Sequence, residues 1–230
     1  MIRVSCFFVF LLSICYGDDY GFPDPYPEVY ESIDTLPTNL HGWNLPSALE
    51  PLIEEGDIKT IVEVGAWTGK STIFLANILP EGGTIFAVDH WLGSSEHRDP
   101  GNRTEYNLVP ILFKQFISNV IHAGFQDKII PVRLASVEAA KKFKELKIKP
   151  DVIYIDAAHD YNSVLSDISA WYPLLRKEGL FCGDDWNLGG PEGEVAKAVT
   201  AFASTHRLRV CHEGEFWWYE KLAWYETDRK

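Results

Sequence analysis

Three aspartates and one histidine sit at the ends of two short apolar runs in this 230-residue chain. Asp156 closes Asp151-Val152-Ile153-Tyr154-Ile155-Asp156, and Asp184-Asp185 closes Leu180-Phe181-Cys182-Gly183. Both runs read as buried strands. If the strands are neighbours, about 5 Å apart, the three carboxylates converge at one spot. Unpaired, they would repel one another and release protons reluctantly, a conflict that a divalent cation resolves. Oxygen donors favour Mg²⁺, with Ca²⁺ as the alternative, and no Cys/His cluster offers a zinc site. The competing role for one or two of these acids is to cap the helices that follow. His159 stands three residues past Asp156, in Asp156-Ala157-Ala158-His159-Asp160-Tyr161, where it can take a proton from a hydroxyl held by the cation. Asp160 or Tyr161 is placed to cap the next helix.

A second chemical signal lies upstream, where the strand-like Thr60–Val64 runs into Gly65-Ala66-Trp67-Thr68-Gly69-Lys70-Ser71 and a helical pattern follows. Glycines on such a corner let the backbone approach a ligand, and a helix start presents unpaired N–H groups. A Walker A loop needs four residues between its glycines, and Gly65 and Gly69 enclose three. The dinucleotide fingerprint fails as well, because Ala66-Trp67 fills the place of its second glycine. What remains, Glu63-x-Gly65-x-x-x-Gly69-x-Ser71, resembles motif I of the class I methyltransferases, whose cofactor is S-adenosylmethionine (SAM). That resemblance implies that Glu63 and the turn backbone handle the methionine end of the cofactor. By itself the motif is also compatible with an ordinary βα turn. Asp89, closing Thr84–Asp89, is placed to accept hydrogen bonds from a ribose diol.

The elements that position these residues alternate regularly. Strands are predicted at Thr60–Val64, Thr84–Asp89, Ile129–Arg133, Asp151–Asp156, Leu180–Asp184, Leu208–His212 and Phe216–Lys221. Helices are predicted at Gly69–Leu79, Tyr106–Ala123, Ser136–Leu146, Asn162–Leu175 and Glu192–Thr205, with one more, starting on proline, at Pro46–Glu55. Alternation of this kind predicts a Rossmann-like α/β domain over 46–230, a mostly parallel seven-stranded sheet with helices on both faces. The short link Glu213-Gly214-Glu215 makes the last two strands a hairpin and one of them antiparallel. Residues 18–45, rich in Pro, Tyr and acids, read as an extended arm packed by its aromatics, with Leu40-His41-Gly42-Trp43 as an alternative cover for the site.

Residues 1–17 read as a secretory signal peptide: Arg3, the apolar run Val4 to Ile14, then small residues at Cys15 and Gly17. The run is shorter than the roughly 20 residues of a membrane span, and no later segment approaches that length. The expected location is therefore the secretory pathway, secreted or in the ER or Golgi lumen. Net charge is −12, from 21 Lys+Arg against 33 Asp+Glu, which argues against a nucleic-acid partner. Past residue 17 only Cys182 and Cys211 remain, on strands that are not neighbours, so two buried free thiols are expected. Asn102-Arg103-Thr104 is a glycosylation sequon.

Taken in order, the motifs resemble a class I SAM-dependent methyltransferase of the metal-assisted O-methyltransferase type. Glu63 to Ser71 is similar to motif I of catechol O-methyltransferases, which have an aromatic residue where Trp67 stands. Their metal ligands match Asp156, Asp184 and Asp185, but a lysine base stands where this chain has His159. A second resemblance is to a bacterial-type group near the macrocin/mycinamicin sugar O-methyltransferases and cephalosporin-hydroxylase-like proteins. It rests on Val88-Asp89-His90-Trp91-Leu92-Gly93-Ser94, Tyr154-Ile155-Asp156-Ala157-Ala158-His159-Asp160-Tyr161 and Gly183-Asp184-Asp185. These resemblances imply a cofactor site formed by Glu63, Gly65, Ala66, Trp67, Gly69, Ser71, Asp89, His90 and Asp156, with Ala135-Ser136 bordering the adenine. The acceptor they imply is a hydroxyl on a small molecule or sugar. The rival readings are a secreted SAM- or glycan-binding protein of the same fold without catalysis, and an oxidative enzyme. The latter lacks a compact two-His-one-carboxylate set for iron.

Overall fold

The computed structural model describes residues 20–30, 36–40, 49, 53, 57–94 and 97–221. The expected signal peptide 1–17, His41-Gly42-Trp43, and all of the expected helix Pro46–Glu55 except Leu49 and Ile53 lie outside the described residues. The β-branched runs form β1 (Thr60–Val64), β2 (Thr84–Asp89), β3 (Ile129–Arg133), β4 (Val152–Ile155) and β5 (Leu180–Gly183), all parallel. β6 (Leu208–Glu213) and β7 (Phe216–Lys221) complete a sheet of order β3-β2-β1-β4-β5-β7-β6. β7 returns antiparallel between β5 and β6, because a two-residue hairpin cannot make a parallel crossover. The Rossmann-like sheet expected from the alternation is the sheet found.

Among the described residues these helices accompany it: α1 (Tyr26–Tyr30), α2 (Lys70–Ile78), α3 (Arg103–Leu108), α4 (Leu112–Ala123), α5 (Ser136–Leu146), α6 (Tyr161–Trp171) and α7 (Glu194–His206). The period-two alternation of the strands assigns them to two layers. Val62, Val64, Phe86, Val88, Ile153 and Ile155 face α5, α6 and α7 through Phe143, Ile168, Trp171 and Val199. Ile61, Ile85, Ala87 and Tyr154 face α2 and α4 through Leu75, Phe116 and Ile117. Each such buried side chain contributes about 1.5–3 kcal/mol, and a one-residue slip of a strand would exchange its two faces. Register is thereby fixed, and with it the level at which each strand end presents its acid.

Two helix boundaries differ from the pattern for a common reason. Proline lacks an N–H and disfavours helical backbone before it. Pro110 splits the predicted Tyr106–Ala123 helix into α3 and α4 with a 3₁₀ turn between, and Pro173 ends α6 at Trp171. The described parts of the arm dock closely on the domain. Tyr20 and Phe22 meet Phe86 edge-on, and the Tyr26 hydroxyl donates to Ile129 O at 2.7 Å. Residues 36–39 are stitched to α4: Ser118 Oγ donates to Leu36 O, Gln115 Nε2 to Pro37 O, and Asn119 Nδ2 to both Asn39 O and Thr68 O. Cys182 is buried, but Cys211 is only half-buried, since it lies on the edge strand β6. Among the described residues no helix is long and apolar enough to cross a membrane.

Candidate active site

The turn after β1 is built around Gly65, whose φ is 102°. Its N–H donates to Val88 O at 2.8 Å, and a Cβ there would lie 1.8 Å from the Asp156 carbonyl oxygen. The glycine therefore admits the chain leaving β4, in addition to bordering a cavity. Gly69, at φ 89°, precedes α2, and its missing Cβ faces the Phe116 ring at 3.0 Å. At Gly69 the missing Cβ also makes room for the packing of Phe116.

Asp89 joins the ends of β1 and β2. Its Oδ2 accepts from Trp67 N at 2.9 Å and its Oδ1 from Trp91 N at 2.7 Å, while Trp91 Nε1 donates to Trp67 O at 2.8 Å. Burial pushes its pKa up, and the two N–H bonds oppose that. A carboxylate with two donors still has lone pairs for a hydroxyl. The Trp67 ring stacks on His97 with centroids 4.0 Å apart.

Glu63 shares the face of Ile61, so it points under the start of α2 and is fully buried. Thr72 Oγ1 donates to its Oε2, and Oε1 has no partner. Burial raises its pKa from 4.5 to about 7, against the hydrogen bonds from Ser71 and Thr72. Between those values the folded state binds more protons than the unfolded state, so stability falls as pH rises through this window. Glu63→Gln should therefore stabilise the ligand-free protein by about 3 kcal/mol at pH 8 and by little at pH 5. Urea unfolding of both proteins at the two pH values measures this, and an equal gain at both would refute the account.

Asp156 is pushed well above the usual carboxylate range by burial and by the charges of Asp184, Asp185 and Glu63. Asp184 is raised to about 6 by burial and by Asp185, against a hydrogen bond from Tyr154. Asp185 instead pairs with His159, whose Nε2 stands 3.0 Å from Asp185 Oδ2. Among the described residues no three His, Cys, Asp or Glu side chains are gathered to hold a metal ion. The three aspartates lie near enough to act on one another's charge, and one oxygen of Asp185 faces His159. The donor chemistry still fits a hard cation: Asp184 and Asp185 push the Asp156 pKa up and Asp185 that of Asp184, a repulsion that an oxygen-bound cation would relieve. Two cavities flank this segment. One, of about 480 Å³, lies beyond the ends of β1, β2 and β4 and includes Gly65, Asp89 and Asp156. The other, of about 690 Å³, is lined by His159, Asp160, Asp185, Leu188, Gly189, Glu192, Gly193 and Glu194.

Residues 62–186, more than half of the chain, match the methyltransferase domain family. The chain belongs to that family. Caffeoyl-CoA O-methyltransferase 1 of Nicotiana tabacum is 25% identical over 213 residues, covering 82% of this chain and 80% of that protein. Caffeoyl-CoA O-methyltransferase of Eucalyptus gunnii is 26% identical over 220 residues, covering 82% and 76%. The fold is shared with an O-methyltransferase from Bacillus cereus in complex with SAH, at TM-score 0.57, 19% identity and coverage of 90% and 96%. It is shared too with TomG from Streptomyces achromogenes, in complex with SAM, at TM-score 0.58, 15% identity and coverage of 87% and 91%. By that family the protein is a methyltransferase, and the relatives and folds it is similar to are O-methyltransferases.

Gly65, Trp67, Asp89, His90, Ala135, Ser136 and Asp156 line the smaller cavity of this methyltransferase. Glu63, Ala66, Gly69 and Ser71, also expected to touch the cofactor, do not line it: Glu63 and Ala66 are sealed beneath the turn, and Gly69 packs on α4. The sequence had not singled out His97, nor Asn162, Ser163, Ser166 and Asp167 on α6. The α6 residues recur at helical spacing as a polar stripe, a pattern that ordinarily marks a solvated face. Asp160, one of the two residues expected to cap this helix, caps α6 by accepting from Ser163 N at 3.0 Å.

Proposed function

We propose that this methyltransferase moves the SAM methyl group to a hydroxyl oxygen of a small molecule or sugar, with His159 as general base and a divalent cation held by Asp156, Asp184 and Asp185. The observation that carries this reading is the His159–Asp185 pair lining a cavity three residues along the chain from Asp156, which lines the cofactor cavity. The bound cation would hold the acceptor oxygen and lower its pKa. Asp185 fixes the imidazole orientation, and His159 accepts the hydroxyl proton as the O–CH₃ bond forms and the S–CH₃ bond breaks, leaving SAH. Asp89 orients the cofactor through its ribose, and the Trp67–Trp91 clamp keeps that carboxylate in place.

The second cavity also speaks to the acceptor. Its described lining carries four carboxylates, one histidine and no lysine or arginine, and Glu192 pairs with Lys197 at 3.1 Å. Such a wall repels polyanions and suits a neutral or cationic acceptor, unlike the CoA thioesters in the names of the plant relatives. The test supplies methyl-labelled SAM with caffeoyl-CoA or with neutral methyl caffeate, which carries the same ring, alongside neutral sugars. A neutral acceptor is expected to be methylated at least about tenfold faster, with loss of turnover in chelator and recovery on adding Mg²⁺. Preferential turnover of the CoA ester would sink the acceptor assignment, and full activity in chelator would sink the cation.

A further inference from the structure

We propose that Asp167 reads the exocyclic amine of the cofactor's adenine, making it a specificity-determining residue of this methyltransferase. The inference rests on SAM as the occupant of the smaller cavity. That cavity runs along the C-terminal strand ends in sheet order, from Leu134–Val137 after β3, past Asp89 on β2 and Gly65 on β1, to Asp156 on β4. His159 and Asp185 lie beyond the β4 end, so the reacting methyl must face that way. With the ribose at Asp89, the adenine, on the far side of the ribose from the sulfur, falls at the β3 end. Leu134, Ala135 and Val137 supply apolar walls there, and Asp167 is a charged side chain in the same lining.

Asp167 is a carboxylate in the middle of α6, only 6% exposed although it borders a cavity. It accepts a hydrogen bond from the Ser136 hydroxyl, and that hydroxyl in turn accepts from Trp171 Nε1 at 3.0 Å. The indole N–H takes a serine lone pair and leaves the serine proton for Asp167. Burial raises its pKa to about 6, and among the described residues the charge of Asp160 pushes the same way. A carboxylate so buried without a basic partner is costly, and its remaining lone pairs are satisfied by a ligand that brings an N–H. Adenine offers one at its 6-amino group. Hypoxanthine presents an oxygen there, which the carboxylate repels.

The experiment compares the binding of SAH and S-inosylhomocysteine, which carries oxygen in place of the amine, by calorimetry with the full-length protein. Wild type should prefer SAH by about 10- to 100-fold. Asp167→Asn and Asp167→Ala, checked for folding by thermal unfolding, should bring that ratio close to one. A role confined to supporting Ser136 would weaken both ligands together and leave the ratio unchanged. Equal wild-type affinity for the two nucleosides overturns the assignment even if neither variant folds. Wild-type binding of neither overturns the SAM site itself, an outcome distinct from indiscriminate binding.

Discussion

Alanine at Gly65 is expected to leave the protein at least about 4 kcal/mol less stable, or unfolded. Two independent costs add there. The backbone sits at φ 102°, which an L side chain adopts only under strain, and the new methyl would stand 1.8 Å from the Asp156 carbonyl oxygen. Neither β1 nor β4 can yield, because Val64 pairs with Ile155 and both are buried in the central sheet. Gly69→Ala makes the informative comparison. It shares the positive φ, but its methyl would meet the edge of the Phe116 ring at 3.0 Å, which can move by a few tenths of an ångström. Its cost should be closer to about 1–3 kcal/mol. Denaturant unfolding of both variants measures the difference, and a Gly65→Ala protein within about 1 kcal/mol of wild type would show that the two strand ends are not held together as described.

The contrast between these glycines marks what a single sequence can and cannot convey here. Properties local to one element were legible: the alternation that makes β1 to β5, the hairpin that reverses β7, and the acids that close β2, β4 and β5. Proline boundaries at Pro110 and Pro173 were present in the sequence but outweighed by the apolar period on either side of them. Partnerships between elements were not legible. Nothing near Asp89 indicates that two backbone N–H groups from different loops converge on it, and nothing near Asp185 indicates that it prefers His159 to Asp156 and Asp184. Asp167 illustrates the same gap. On its own helix it is one member of a polar stripe, and it becomes part of the cavity only because the start of α5 brings Ser136 against it.

His159→Ala should lower kcat by about 10²- to 10⁴-fold, the usual contribution of a positioned base, while SAH affinity stays within about threefold. The separation follows from placement: His159 lines the larger cavity, proposed to hold the acceptor, and Asp156 the smaller one, proposed to hold the cofactor. Asp184→Ala should likewise abolish turnover and largely spare SAH binding. A parallel fall in kcat and SAH affinity in His159→Ala would reduce the histidine to a structural support. Asp185 is the residue whose role the geometry leaves to be divided, since its Oδ2 is 3.0 Å from His159 Nε2 and its charge raises the pKa of both Asp156 and Asp184. A double-mutant cycle separates the two contributions. If Asp185 acts by orienting the imidazole, removing it from the His159→Ala protein should cost little beyond the single substitution. If it acts as a cation ligand, the loss from Asp185→Ala should be the same in both backgrounds, and the activation constant for Mg²⁺ should rise with it. With Asp185 in both roles, the expected double variant is slower than His159→Ala alone, but by clearly less than the factor that Asp185→Ala costs the wild type.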